Sequence, residues 1–155
     1  ERVMGMRAGG CHAEACCVPE AGAIAHLPEE IGFESAAALP FGGHTAMHFL
    51  RRAGLEAGQR LLVVGASGEV GAMAVQLGAV AGAEVAGVCS AGNADLVRSL
   101  GASRVFDYAA EDALIDSWLA ARAAVKIPEF ALQPKWGMAY SGPQGRARTQ
   151  KEFVE

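Results

Sequence analysis

Short aliphatic runs alternate along this chain with longer stretches of helical period. Leu61 to Val64 is aliphatic throughout and bounded by glycine, the pattern of a strand buried on both faces. Good helix formers follow from Ala72 to Ala81, and Gly82 stands where a left-handed cap ends a helix. Val85 to Val88 predicts a second strand, Asn93 an N-cap for a helix from Ala94 to Leu100, Gly101 its stop, and Val105-Phe106 a third strand. This β-α-β-α-β order implies right-handed crossovers and an α/β fold built on a parallel, doubly wound sheet.

Upstream the pattern changes. Cys11 to Val18, closed by Pro19, and Ala23 to Leu27, closed by Pro28, predict two strands and a β-rich beginning over residues 1–32. From Glu34 to Leu50 the apolar positions follow helical turns, with Pro40 and Gly42-Gly43 predicting a break between a short helix and a second one that ends at Gly54. Glu111 to Ala121 predicts a further helix with Leu114, Ile115, Trp118 and Leu119 on one face, closing an α/β unit over residues 33–122. After that, periodicity is lost among Pro128, Pro134, Gly137, Gly142, Pro143 and Gly145, and 123–155 reads as an irregular tail.

Composition narrows the classes. The 155 residues are 52% apolar, enough to bury a core, and carry a formal charge of −4 without a dense basic stripe, which argues against nucleic acid as a partner. The charge is uneven: residues 1–122 hold 8 basic and 14 acidic side chains, residues 123–155 hold 5 and 3. Four cysteines without a secretory prelude fit a reducing, cytoplasmic setting better than a disulfide framework. The most apolar stretch, Val70 to Cys89, is interrupted by Gln76 and Glu84, so no membrane span is expected. The chain opens on Glu1 rather than Met, which leaves room for an upstream segment.

The candidate chemistry lies in the turn Gly65-Ala66-Ser67-Gly68-Glu69-Val70-Gly71, between a strand and a helix. A dinucleotide pyrophosphate needs backbone N–H groups at a helix N-terminus, approached without obstruction by side chains. Ala66, Gly68 and Gly71 fall on the three positions of that fingerprint: the tight turn, the close approach, and the helix-to-strand contact. The same turn can also serve structure alone. Rival chemistries lack their residues. A triphosphatase loop needs Gly-Lys-Ser/Thr where Gly71-Ala72-Met73 stands, and a short-chain dehydrogenase needs a Lys four residues after its Tyr, where Asp112 and Gln144 stand. A methyltransferase usually ends its second strand on an acidic residue, and this strand ends on Cys89-Ser90.

The string Glu34 to Ala46, the turn 65–71 with Ala74-Val75-Gln76-Leu77, then Leu100-Gly101-Ala102 and Phe106-Asp107-Tyr108, resembles the medium-chain dehydrogenase/reductases, most closely the zeta-crystallin-like NADPH:quinone oxidoreductases. The resemblance covers roughly residues 1–112. It implies a Rossmann-type domain preceded, over 1–32, by the last strands of a GroES-like catalytic domain, and a chain that is a fragment or aberrant. It implies NADPH as cofactor, held by Thr45, Ala66, Ser67, Gly68, Glu69, Val70, Gly71, Ser90, Asn93 and Tyr108, with Thr45 near the nicotinamide. Thr45 otherwise serves only to initiate a helix. Two departures stand out: Ala15 replaces an aromatic, and Glu69 replaces a glycine and adds a carboxylate near the phosphates.

No metal site is expected. The family's zinc-dependent members place a Cys ligand where Phe41 stands, and adjacent Cys16 and Cys17 on a strand would face opposite ways. His44 and His48, four apart, lack further ligands. No acid-base residue is evident, so catalysis would rest on orienting donor and acceptor. The serine at position 90 and Asn93 imply a preference for NADPH over NADH, modest because no basic residue stands at Gly92 or Asn93 and Arg98 is expected to face solvent. Two functions follow: a zinc-independent oxidoreductase passing hydride to a small-molecule quinone or enone, as a monomer or homodimer away from membranes, or a non-catalytic nucleotide- or partner-binding module using Trp118, Trp136 and the basic tail as contact surface.

Overall fold

The computed structural model describes residues 1–7, 9–110, 117–118 and 124–126. Two short strands, β1 (Val3–Gly5) and β2 (Ile24–His26), pair antiparallel with Val3 opposite His26. The strand expected at Ala23 to Leu27 therefore forms, but the one expected at Cys11 to Val18 does not. Because β1 and β2 take each other as partners, the intervening segment is left without a ladder. It loops through Gly9 and Gly10 at positive φ and is held by the Arg7 guanidinium, which donates to the Cys17 carbonyl at 2.8 Å. Arg2 organises the exit from this sheet. Its guanidinium donates to the carbonyls of Pro28 at 3.1 Å, Glu29 at 3.0 Å and Ile31 at 2.6 Å, and lies over the Phe33 ring.

The first helix corrects a second expectation. Instead of two helices with a break, α1 (Phe33–Arg52) runs continuously through Pro40 and Gly42-Gly43. Pro40 removes one donor from the second turn, while Ala36, Gly42, Ala46 and Leu50 recur on one buried side. That side packs on α2 (Glu69–Val80): a Cβ on Gly42 would come within 2.9 Å of the Glu69 Cγ and 3.0 Å of its carbonyl oxygen. Gly42 is thus a close-contact residue and no helix breaker.

The larger sheet is parallel, in the order β5-β4-β3-β6, from β3 (Arg60–Val64), β4 (Glu84–Cys89), β5 (Arg104–Asp107) and β6 (Ala124–Lys126). Leu61, Val63, Val85 and Cys89 bury one face beneath Ala46 and Leu50 of α1, Ala74 and Val75 of α2, and Val97 of α3 (Ala94–Ser99). Leu62, Ala86, Val88 and Phe106 bury the other face with Trp118. Each such aliphatic side chain contributes about 1.5–3 kcal/mol when fully buried, so a strand wet on either face would forfeit much of that. The helices end alike. Gly54, Gly82 and Gly101 take positive φ one residue past the cap, and the next N–H reaches back to Leu50, Gly78 and Val97.

Two expectations about the far end also change. Strand β6 lies inside the segment read as an irregular tail, where it pairs with β3 in register Arg60 to Ala124. Trp118 is 3% exposed and stacks on the Arg60 guanidinium at 3.8 Å, so it is core and unavailable as a contact surface. Arg60 also approaches Glu84, its partner in register, at 3.4 Å. Leu114, Ile115, Leu119, Trp136 and the prolines and glycines beyond lie outside the described residues.

Candidate functional site

Strand β3 is flanked by β4 on one side and β6 on the other, so the strand order reverses at β3. In an open parallel sheet, ligands collect outside the carboxyl ends of the strands at such a reversal. The glycine turn begins there. Gly65 leaves β3 at φ +73°, a conformation suited to glycine, and the N–H groups of Gly65 and Ala66 both donate to the Val88 carbonyl at 3.0 Å, fastening the turn to β4. The tight-turn position therefore belongs to Gly65. Ala66, assigned to it from the sequence, is instead fully buried in the core. The missed signal was a glycine immediately after an aliphatic run.

Gly71 carries the helix-to-strand contact as expected: a Cβ there would fall 2.1 Å from the Gly65 carbonyl oxygen and 2.9 Å from the Ala66 Cα. Gly68 is different. It occupies the N-cap position of α2 at φ −77°, makes no side-chain cap, and a Cβ on it would meet only the Gly65 oxygen, at 3.3 Å. The N–H groups of Glu69, Val70 and Gly71, which a helix leaves unpaired in its first turn, are therefore uncapped by any side chain at Gly68. A seat of this kind suits a phosphate. Glu69 is exposed in the first turn, with its stem against Gly42, and Val70 is half-buried against the core.

Beside this seat the structure gathers three more of the expected residues. The Asn93 amide Nδ2 donates to the Ser67 Oγ and to the Ser90 Oγ, both at 3.1 Å, tying the turn after β3 to the turn after β4. Asn93 holds the N-cap position of α3 without making the side-chain cap expected of it, because its amide is directed to these hydroxyls. Tyr108, just past β5, sends its N–H to the Cys89 carbonyl at 3.3 Å and leaves its ring 61% exposed at the same edge. Arg98 faces outward and pairs with Asp95 at 2.9 Å. Thr45 stands on α1 one turn beyond Gly42, half-buried; since the helix starts at Phe33, its role as helix initiator is overturned.

Cys89 lies under this edge, and its thiol titrates above the ordinary 9.0, first because it is buried, then because Asp107 places negative charge nearby, partly opposed by Arg98. Cys11, Cys16 and Cys17 are exposed on the loop between β1 and β2. With no strand there, the alternation that set Cys16 and Cys17 on opposite faces no longer applies. Among the described residues no three His, Cys, Asp or Glu side chains gather as metal ligands, and no helix is long and apolar enough to cross a membrane. His44 and His48 are exposed on α1 beside Met47, Arg51 and Arg52.

Sheet order, switch point and glycine turn together define a Rossmann-type α/β unit. Over this region it is similar in sequence and fold to quinone oxidoreductases and enoyl reductases. It is 47% identical over 87 residues to a chloroplast envelope quinone oxidoreductase homolog of Arabidopsis thaliana, covering 52% of this chain and 26% of that protein. It is 41% identical over 91 residues to a 2-methylene-furan-3-one reductase of Solanum lycopersicum, covering 57% and 24%. The quinone oxidoreductase from Thermus thermophilus, solved also with NADPH, superimposes with a TM-score of 0.58 at 34% identity over 62% of this chain and 33% of that one. No family model matches the sequence. The chain thus spans about a quarter of the length of the curated relatives it matches.

Proposed function

We propose that this chain is the cofactor-holding part of an NADPH-dependent, zinc-independent oxidoreductase acting on a quinone or an activated alkene. The observation that carries the reading is the uncapped glycine turn at the switch point, a feature whose backbone donors fit a pyrophosphate. When bound, NADPH supplies a hydride. The first-turn N–H groups of α2 hold the pyrophosphate, Gly68 admits it, and Gly71 keeps the helix against the turn. Ser67, Ser90, Asn93 and Tyr108 line the adenosine end, and Thr45 offers its hydroxyl on the α1 side, near the nicotinamide. No described residue is needed as acid or base; the protein's work is orientation and the exclusion of water. Residues 1–32, with β1 and β2, form the end of a GroES-like catalytic domain, and Phe41 at the position of a zinc ligand supports zinc independence. Four unpaired thiols support a reducing, cytoplasmic setting.

The 155-residue chain is expected to bind NADPH while its own turnover stays near zero, because a substrate cleft needs a second wall. Calorimetry with NADPH beside an NADPH-oxidation assay with a quinone tests both. Failure to bind overturns the reading, and robust turnover overturns the need for a second wall. A non-catalytic nucleotide-binding module is the second reading. Exchanging residues 33–110 into a full-length quinone oxidoreductase decides between them: hydride transfer supports the oxidoreductase, and binding without transfer the module.

A further inference from the structure

The solvent side of α1 carries a pattern that its packing on the domain does not require. Glu34, Ala37, Phe41, His44, His48 and Arg51 follow one another in alternating steps of three and four, and all are exposed. That is the spacing of a coiled-coil seam, which keeps one line of side chains facing a partner helix. It runs opposite the stripe of Ala36, Gly42, Ala46 and Leu50 that faces the core. Phe41, in its middle, is 46% exposed. An acid near the N-terminus and a base near the C-terminus suit the helix's own dipole, but the dipole gives no reason for an aromatic ring in water between them. Among the described residues, ion pairs join Arg60 with Glu84 and Arg98 with Asp95, and neither Glu34 nor Arg51 has a side-chain partner. The seam thus presents an unpaired acid at one end, an aromatic centre, and an unpaired base at the other.

We propose that the occupant of this face is a second copy of the same chain, its α1 laid antiparallel on the first across a two-fold axis. In such a contact, where residue i meets j, j also meets i, so a surface must complement its own reverse. This seam does. With the axis between Phe41 and His44, Phe41 of each copy meets His44 of the other, Ala37 meets His48, and Glu34 meets Arg51. Rings stack at the centre, a small side chain leaves room for a larger one, and two ion pairs close the ends. Parallel pairing would set Glu34 against Glu34 and Arg51 against Arg51, which like charge opposes. From Glu34 to Arg51 the seam is about 26 Å long. One helix pair of that length is a small interface, so the dissociation constant is expected at about 10–100 µM. The contact is independent of the nucleotide reading, since no seam residue belongs to the glycine turn or its rim.

Sedimentation equilibrium of the full 155-residue chain from about 5 to 500 µM is expected to fit a monomer–dimer equilibrium. Glu34→Arg alone, or Arg51→Glu alone, replaces two attractions by two repulsions and should weaken dimerisation about tenfold. The double variant, with both charges exchanged, should return the constant to within about threefold of the parent. Circular dichroism melts report whether each variant is folded. A measurement on the parent needs no variant: footprinting with diethyl pyrocarbonate should show His44 and His48 losing reactivity as concentration rises, while the exposed His12 and His26 keep theirs. A parent that stays monomeric, or four histidines that respond alike, overturns the inference. So do folded single variants that dimerise as the parent does, which would assign the association to another surface such as the β5 edge, and a folded double variant that does not recover.

Discussion

Three glycines within seven residues do different work in the site. Gly71→Ala places a Cβ 2.1 Å from a backbone oxygen that cannot swing away, and is expected to destabilise the fold by about 1–3 kcal/mol in urea unfolding. Gly68→Ala meets that same oxygen only at 3.3 Å and at an ordinary φ, so its stability should stay near that of the parent while nucleotide affinity falls. Cys89 supports a second prediction. With its pKa raised in the folded state, the thiol contributes stability that is full below the unfolded value near 9.0 and declines as pH rises through and above it. Unfolding free energy should therefore fall more steeply in the alkaline range for the parent than for Cys89→Ala. In the native state a thiol reagent should label Cys11, Cys16 and Cys17 promptly and Cys89 only on unfolding. Of the residues named from sequence, Ser67, Ser90 and Asn93 are brought together at one edge of the sheet. Their mutual hydrogen bonds were not legible, because contacts 26 residues apart leave no local trace.

Among elements, β3, α2, β4 and β5 were legible because each is announced by its own residues: an aliphatic run, helix formers, a closing glycine. Errors came where a partner decides. Cys11 to Val18 has the small apolar residues of a strand but no strand to pair with, and Ala124–Lys126 lacks an aliphatic run yet pairs with β3. Pro40, Gly42 and Gly43 read locally as a break, while the packing of α1 on α2 demands one continuous rod. Adjacent glycines there separate the two influences. Gly43 has open space around it, so Gly43→Ala should stabilise by about 0.5–1 kcal/mol through helix propensity alone. Gly42→Val drives a branched side chain into Glu69 and should cost about 2 kcal/mol, with both measured by chemical denaturation.

For the whole molecule, apolar surface lies outside the core. Val80 is 86% exposed, Phe33 61% and Phe41 46%, and on the described residues β5 has β4 alone as a neighbour. Exposed apolar groups and an unpaired strand edge favour self-association. Sedimentation should show the average mass rising with concentration, and a single monomeric species across the micromolar range would contradict this. The doubly wound class was legible from the order of elements, since parallel pairing of successive strands follows from the crossovers. The reversal of strand order at β3 was not, because it depends on β6.

The contact between Gly71 and the Gly65 carbonyl ties the first turn of α2 to the end of β3 using backbone alone. The seat proposed for a phosphate is then made of groups that every amino acid possesses, while the rim is made of side chains that any point mutation can replace. Affinity and selectivity are in this way inherited separately. On the function proposed above, changes at Ser67, Ser90 or Asn93 would retune which nucleotide is preferred without dismantling the place where it sits. A lineage carrying this turn can explore new cofactors one substitution at a time and remain folded throughout.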